Sequence, residues 1–177
     1  TLFLYNDVNL VQHSGQKINK NNDVNDYMIN NFPGGSRQYL SSDNIFDGNY
    51  HKHLLDFLNN LNPSGLPMHW MSLKKYCPII LLRYLDPANG HCNETRYNVT
   101  QLNSHVIEAV IAIGPHSGKC LFILRIPLVP SDNQFPFQLR RRQFPITLAF
   151  SFTANKSQGQ TLDRVGVSLP TPMFTHG

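Results

Sequence analysis

A chain of 177 residues, 41% of them apolar and 11% aromatic, can pack one ordinary domain or two small ones, which excludes a disordered tail. Only 15% of residues are charged and the formal net charge is +4, a mild basic balance that is compatible with a polyanionic partner without naming one. Cys77, Cys92 and Cys120 are odd in number and form no Cys-x-x-Cys pair, so neither a disulfide framework nor a zinc site is suggested, and no run approaches the roughly 18 apolar residues of a membrane span.

The first 61 residues mix helix and loop signals. "NNDVNDYMINNF" places Val24, Tyr27, Met28 and Ile29 near one helical face before the Pro33-Gly34-Gly35 break. "HKHLLDFLNNLN" repeats the pattern with Leu54, Leu55, Phe57, Leu58 and Leu61, and stops at Asn62-Pro63-Ser64-Gly65. From about Leu66 to Val129 the pattern turns to β: "CPIILLRYL", "TRYNVTQL", "HVIEAVIAIG" and "KCLFILRIPL" are short runs separated by turn signals, which predicts a small barrel rather than βαβ units. "QFPITLAFSFTANKSQGQTLDRVGVSL" then has the strand, polar loop and strand rhythm of an α/β domain.

Several motifs have ordinary explanations. Gly114-Pro115-His116-Ser117-Gly118-Lys119-Cys120 looks like a phosphate loop, but it is one residue short, lacks the hydroxyl after Lys119 and leads into a strand instead of a helix, so a hairpin turn is expected. Asp47, His51 and His53, and likewise His91 beside Cys92, lack metal-ligand spacing and are expected to be ordinary surface residues, with no metal and no catalytic nucleophile assigned. Sequons at Asn93, Asn98 and Asn155 would mark surface loops in a secreted chain, but the apolar stretch at the start is too short and unflanked for a signal peptide.

Two stretches carry possible chemistry. Three guanidinium groups at Arg140, Arg141 and Arg142 are costly together unless solvated or paired with phosphate or carboxylate, so a solvated face and an anion contact both remain open. Lys156, Ser157, Gln158, Gln160 and Thr161 supply donors around Gly159, which suits a phosphate-facing loop; the alternative is a polar strand-to-helix turn capped by Thr161 or Asp163.

"RRRQFPITLAFSFTANKSQGQTLDRVGVSLPTPMFTHG", preceded in order by "YLSSDNI", "LNPSGLP", "CPIILLRYLDPANGHCNETR" and "RIPLVPSDNQFPFQLRRRQFP", resembles the Pif-type ATP-dependent DNA helicases, the RecD-like group of superfamily 1B, and especially their Helitron-transposon copies. The resemblance covers roughly residues 21–177. It implies an α/β fold: part of a RecA-like motor domain with a parallel sheet, interrupted by an SH3-like small β-barrel insertion. Residues 1–65 would be the first part of the second RecA-like domain (1–20 divergent), 66–135 the barrel, and 136–177 the remainder with helicase motif V.

Carried over residue by residue, the resemblance implies that Thr153, Lys156 and Ser157 face the backbone of single-stranded DNA, joined by Arg140, Arg141 and Arg142. Gly159, Gln160 and Thr161 would lie nearer the ATP phosphates. Departures include Met28 in place of an Asn, and Tyr76 and Glu94 where the family has Gly. The intact enzyme implied is a 5′-to-3′ DNA helicase using ATP and Mg2+, nuclear or mitochondrial, without a membrane partner, and connected with DNA repair, recombination and telomere maintenance. No Walker A loop, magnesium-holding acid or transition-state arginine is assignable in this sequence, so the chain alone is expected to be a C-terminal segment without ATPase activity, its cleft completed by a first RecA-like domain. The rival expectations are a non-enzymatic β-barrel module that binds nucleic acid or protein, a decayed transposon copy, and a secreted glycoprotein domain.

Overall fold

The computed structural model describes residues 3–6, 21–45, 55–130, 135–153 and 165–168. The chain divides into two compact units, one of residues 1–32 with 148–177 and the other of residues 33–147.

In the first unit, strand β1 (Phe3–Asn6) lies between β12 (Ser151–Thr153) and β13 (Val165–Ser168) and is antiparallel to both, so β12 and β13 run in the same direction on its two sides. Helix α1 (Asn21–Asn31) forms where the sequence predicts it and packs on β12. Its buried face is Val24, Asn25, Met28 and Ile29, whereas Tyr27, expected on that face, is exposed. Asn25 takes the place because its amide matches β12: Nδ2 donates to the Ser151 carbonyl at 3.1 Å and Oδ1 accepts the Ser151 N–H at 2.9 Å. A buried amide paired on both ends costs little, while a lone one would be expensive. Phe32 closes the helix against Phe150, with ring centroids 5.3 Å apart.

The second unit holds the predicted β-rich stretch. Five strands follow the order β11 (Ile146–Leu148), β5 (Pro78–Leu81), β6 (Arg96–Leu102), β7 (Val106–Ile111) and β8 (Cys120–Leu124). Alternation sends Ile107, Ala109, Ile111 and Ile123 inward onto Leu73, Ile79, Tyr97 and Val99, all nearly or completely buried. The turn after β7 is the hairpin expected of the false phosphate loop: the Gly118 N–H bonds the Ile111 carbonyl at 2.9 Å. His91 differs from the expectation of a surface histidine. It is buried, its Nδ1 is 3.0 Å from the Tyr97 hydroxyl, and the two rings stack.

Strands from both sides of residues 66–135 also pair into this unit. β2 (Ser36–Leu40) pairs with β4 (Trp70–Lys74), and β3 (Ser42–Ile45) pairs with β10 (Leu139–Gln143), which in turn pairs with β9 (Ile126–Leu128). Helix α2 (Leu55–Asn60) buries Leu58, but Leu55 and Phe57 of its predicted apolar face are exposed.

Tyr76 and Glu94, where the resemblance implies glycine, have φ of 68° and 67°, the left-handed region that disfavours a side chain. Both backbones are pinned there, Tyr76 N–H on the Val99 carbonyl at 2.7 Å and Glu94 N–H on the Leu81 carbonyl at 2.8 Å. Left-handed geometry costs an L-residue about 1–2 kcal/mol and glycine's extra unfolded freedom takes back about half of that, so Tyr76→Gly and Glu94→Gly should each stabilise by roughly 0.5–1 kcal/mol. Urea unfolding midpoints measure the gain; a loss at both positions would show that Tyr76 and Glu94 make compensating contacts.

Candidate nucleic-acid interface

Strand β10 has the sequence Leu-Arg-Arg-Arg-Gln and alternates strictly, with Leu139, Arg141 and Gln143 buried and Arg140 and Arg142 exposed. Successive side chains on a strand point to opposite faces, so one basic triplet serves two purposes.

Arg141 is the inward member and is 0% exposed. Its Nε and Nη2 grip the Asp43 carboxylate, Nε to Oδ1 at 3.0 Å and Nη2 to Oδ2 at 2.7 Å. Nη1 donates to the Pro67 carbonyl at 2.9 Å, and Nη2 also reaches the Leu58 and Leu61 carbonyls at 3.2 and 3.0 Å, at the C-terminal end of α2. Asp43 is opposite Arg141 in the β3–β10 register and accepts the Ser41 hydroxyl as well. The expectation that Arg141 contacts DNA is therefore corrected. Its donors are spent on interior acceptors, and drawing it out would strand a buried carboxylate.

The outward face differs. Arg140 is opposite Asn44, and Arg142 is opposite Ser42 on one side and Pro127 on the other. Together with Arg125 these residues line an open cleft of about 370 Å³, with no carboxylate among its described lining residues. Neither Arg140 nor Arg142 makes an ion pair among the described residues.

Arg125 connects β8 to β9 and is held in place. Its Nη1 donates to the Leu40 carbonyl and to Gln143 Oε1, the latter at 3.1 Å, and the guanidinium lies 4.7 Å from the Phe144 ring centroid and 5.8 Å from that of Tyr39. Partial burial lowers the Arg125 pKa; Tyr39 opposes the shift and Arg142 adds to it. An arginine still keeps its charge at neutral pH. Three cations thus converge on one cleft, an arrangement that an oxyanion relieves.

Arg125, Ser42 and Asn44 were not singled out by the sequence, although the period-2 pattern of "LRRRQ" could have separated Arg141 from its neighbours. Of the predicted motif V residues, Thr153 ends β12 opposite Phe3. Lys156, Ser157, Gly159, Gln160 and Thr161 lie outside the described residues.

Residues 56–102, which include β4, β5, β6 and the Arg141 acceptors at Leu58, Leu61 and Pro67, match the family model "DNA helicase Pif1, 2B domain". That segment is similar to the Pif1 2B domain. The surrounding fold agrees with it, an α/β chain with a small SH3-like β insertion. The Pif1 helicase from Candida albicans superposes with a TM-score of 0.57 at 19% identity over 80% of this chain and 35% of its own. Bacteroides Pif1 bound to ssDNA gives 0.56 at 20% identity over 82% and 32%, and a pair of Pif1 helicases coordinating at forked dsDNA gives 0.56 at 20% over 81% and 29%. The chain therefore spans about a third of the length of those Pif1 chains, and at such identities the likeness is one of fold. No curated protein matches it in sequence.

Proposed function

We propose that the chain is the DNA-gripping part of an ATP-dependent 5′-to-3′ DNA helicase, with Arg125, Arg140 and Arg142 taking backbone phosphates of single-stranded DNA. The observation that carries this reading is the arginine cleft on the outward face of β10, without a carboxylate among its described lining residues, in a unit whose residues 56–102 match the Pif1 2B domain model. It is supported by the relatives of the same fold, one bound to ssDNA and one in complex with ADP-AlF3 and ssDNA. Guanidinium groups recognise phosphate without reading bases, so binding should be tolerant of sequence.

Within this reading the helicase uses ATP with Mg2+, and a first RecA-like domain completes the nucleotide cleft. Thr153, Lys156 and Ser157 extend the DNA contact, and Gly159, Gln160 and Thr161 face the nucleotide. A nuclear or mitochondrial site of action, service in repair, recombination and telomere maintenance, and kinship with Helitron copies belong to the same proposal.

The test is the anisotropy of a labelled oligothymidylate titrated with the chain at several salt concentrations. Three neutralised phosphates on a single strand should give log K against log salt a slope of about −2. A flat response would remove the phosphate contacts and the reading with them.

A further inference from the structure

Beside the arginine cleft lies a hydrophobic pair that the fold does not bury. Trp70, the single tryptophan of the chain, is 44% exposed at the start of β4, and Leu40, its partner in the β2–β4 register, is 57% exposed. Directly opposite residues of an antiparallel pair share a face, so indole and isobutyl group stand side by side. Tryptophan is usually well covered in a folded chain, and here nearly half of its surface stays open.

The pair is continuous with the cleft. The ladder runs on past β2, since the Ser41 N–H bonds the His69 carbonyl at 2.8 Å, and burial alternates from Gln38 to Asn44, with Tyr39 and Asp43 inward and Leu40, Ser42 and Asn44 outward. Leu40 is thus on the same face as the cleft residue Ser42, about 7 Å along the strand. Gln143 joins the two parts physically: its Oε1 accepts from Arg125 and its Nε2 donates to the His69 carbonyl at 3.2 Å, one residue before Trp70. The backbone leading into the indole and the guanidinium of the cleft are therefore fixed by one side chain.

A flat aromatic ring next to a cluster of cations is what a single strand needs: guanidinium groups for phosphates, and an indole face on which a base stacks whatever its sequence. We propose that Trp70, flanked by Leu40, is a base-stacking platform for single-stranded DNA whose neighbouring phosphates occupy the Arg125, Arg140 and Arg142 cleft. This inference rests on the DNA-binding reading above and adds a base contact to it.

Because Trp70 is the sole indole, its emission reports on the platform directly. The chain is titrated with oligothymidylate and with an abasic oligomer carrying the same number of phosphates, following tryptophan emission and the anisotropy of a label on the DNA. Oligothymidylate should quench Trp70 and the abasic strand should bind without quenching. Trp70→Ala should weaken oligothymidylate binding about tenfold and leave the abasic strand unaffected, with Trp70→Phe close to the parent. Binding of oligothymidylate with unchanged emission, equal quenching by both strands, or undiminished affinity in Trp70→Ala would overturn the platform and leave the phosphate cleft standing. Failure of either oligomer to bind would overturn the DNA-binding reading and the platform together. Melting curves of both variants confirm that the fold is retained, and the quenching arm needs no variant.

Discussion

Arg141→Met should destabilise the unit of residues 33–147 by about 3–5 kcal/mol, the usual cost of removing one member of a buried ion pair and leaving the other behind. The argument lies in what would be orphaned. Asp43 has a fully buried side chain and a bidentate claim on the guanidinium; without it, a carboxylate is left with Ser41 and a His69 ring nitrogen 3.6 Å away. The Leu58 and Leu61 carbonyls at the end of α2 and the Pro67 carbonyl lose a donor at the same time. Asp43→Asn should be nearly as harmful, since it strands the cation instead. The double replacement Arg141→Met with Asp43→Leu should recover much of the loss, because apolar side chains of similar size often replace a buried pair with little net change. Arg140→Ala and Arg142→Ala, on the outward face, should each change stability by less than about 0.5 kcal/mol. Urea unfolding followed by circular dichroism separates these outcomes. A loss below about 1 kcal/mol for Arg141→Met would mean that the arginine is not anchoring β10 to β3 and α2.

That contrast also shows what was legible in the sequence. Strands β5 to β8 were visible because Val, Ile and Leu alternate between turn signals, so local preference and burial agree. β3, "SDNI", and β10, "LRRRQ", were not, because Ser, Asp, Asn and Arg have poor strand preference, and these segments are strands only through pairing with one another and with β9. The cleft shares that origin. Its members come from positions 42, 44, 125, 127, 140 and 142, which only the register brings together. Recognising a basic triplet was within reach of composition; sorting it into one buried arginine and two outward-facing ones required knowing that the segment is a strand. In helix α1 the period was right, but the hydropathy rule favoured Tyr27 over Asn25, since an amide is apolar-face material only when a strand backbone waits to bond it.

The double substitution Arg140→Ala with Arg142→Ala should reduce the salt slope of single-strand binding by about 1.4, two phosphates at about 0.7 each. Counterion release vanishes near 1 M salt, so the same two contacts are worth on the order of fiftyfold in affinity at 50 mM. Arg125 is left in place for this test, because its guanidinium also holds the Leu40 carbonyl and Gln143, and its removal would disturb the fold along with the charge. The measurement is anisotropy with oligothymidylate across 50–500 mM salt, paired with a melt showing that the variant is folded. Arg140→Lys with Arg142→Lys should keep the slope, which counts charges, while weakening binding at every salt concentration, because a lysine gives up the forked donor geometry of guanidinium on phosphate. A slope unchanged by the alanine pair would mean that the phosphates lie elsewhere on the chain, and the outward face of β10 would then have no part in gripping DNA.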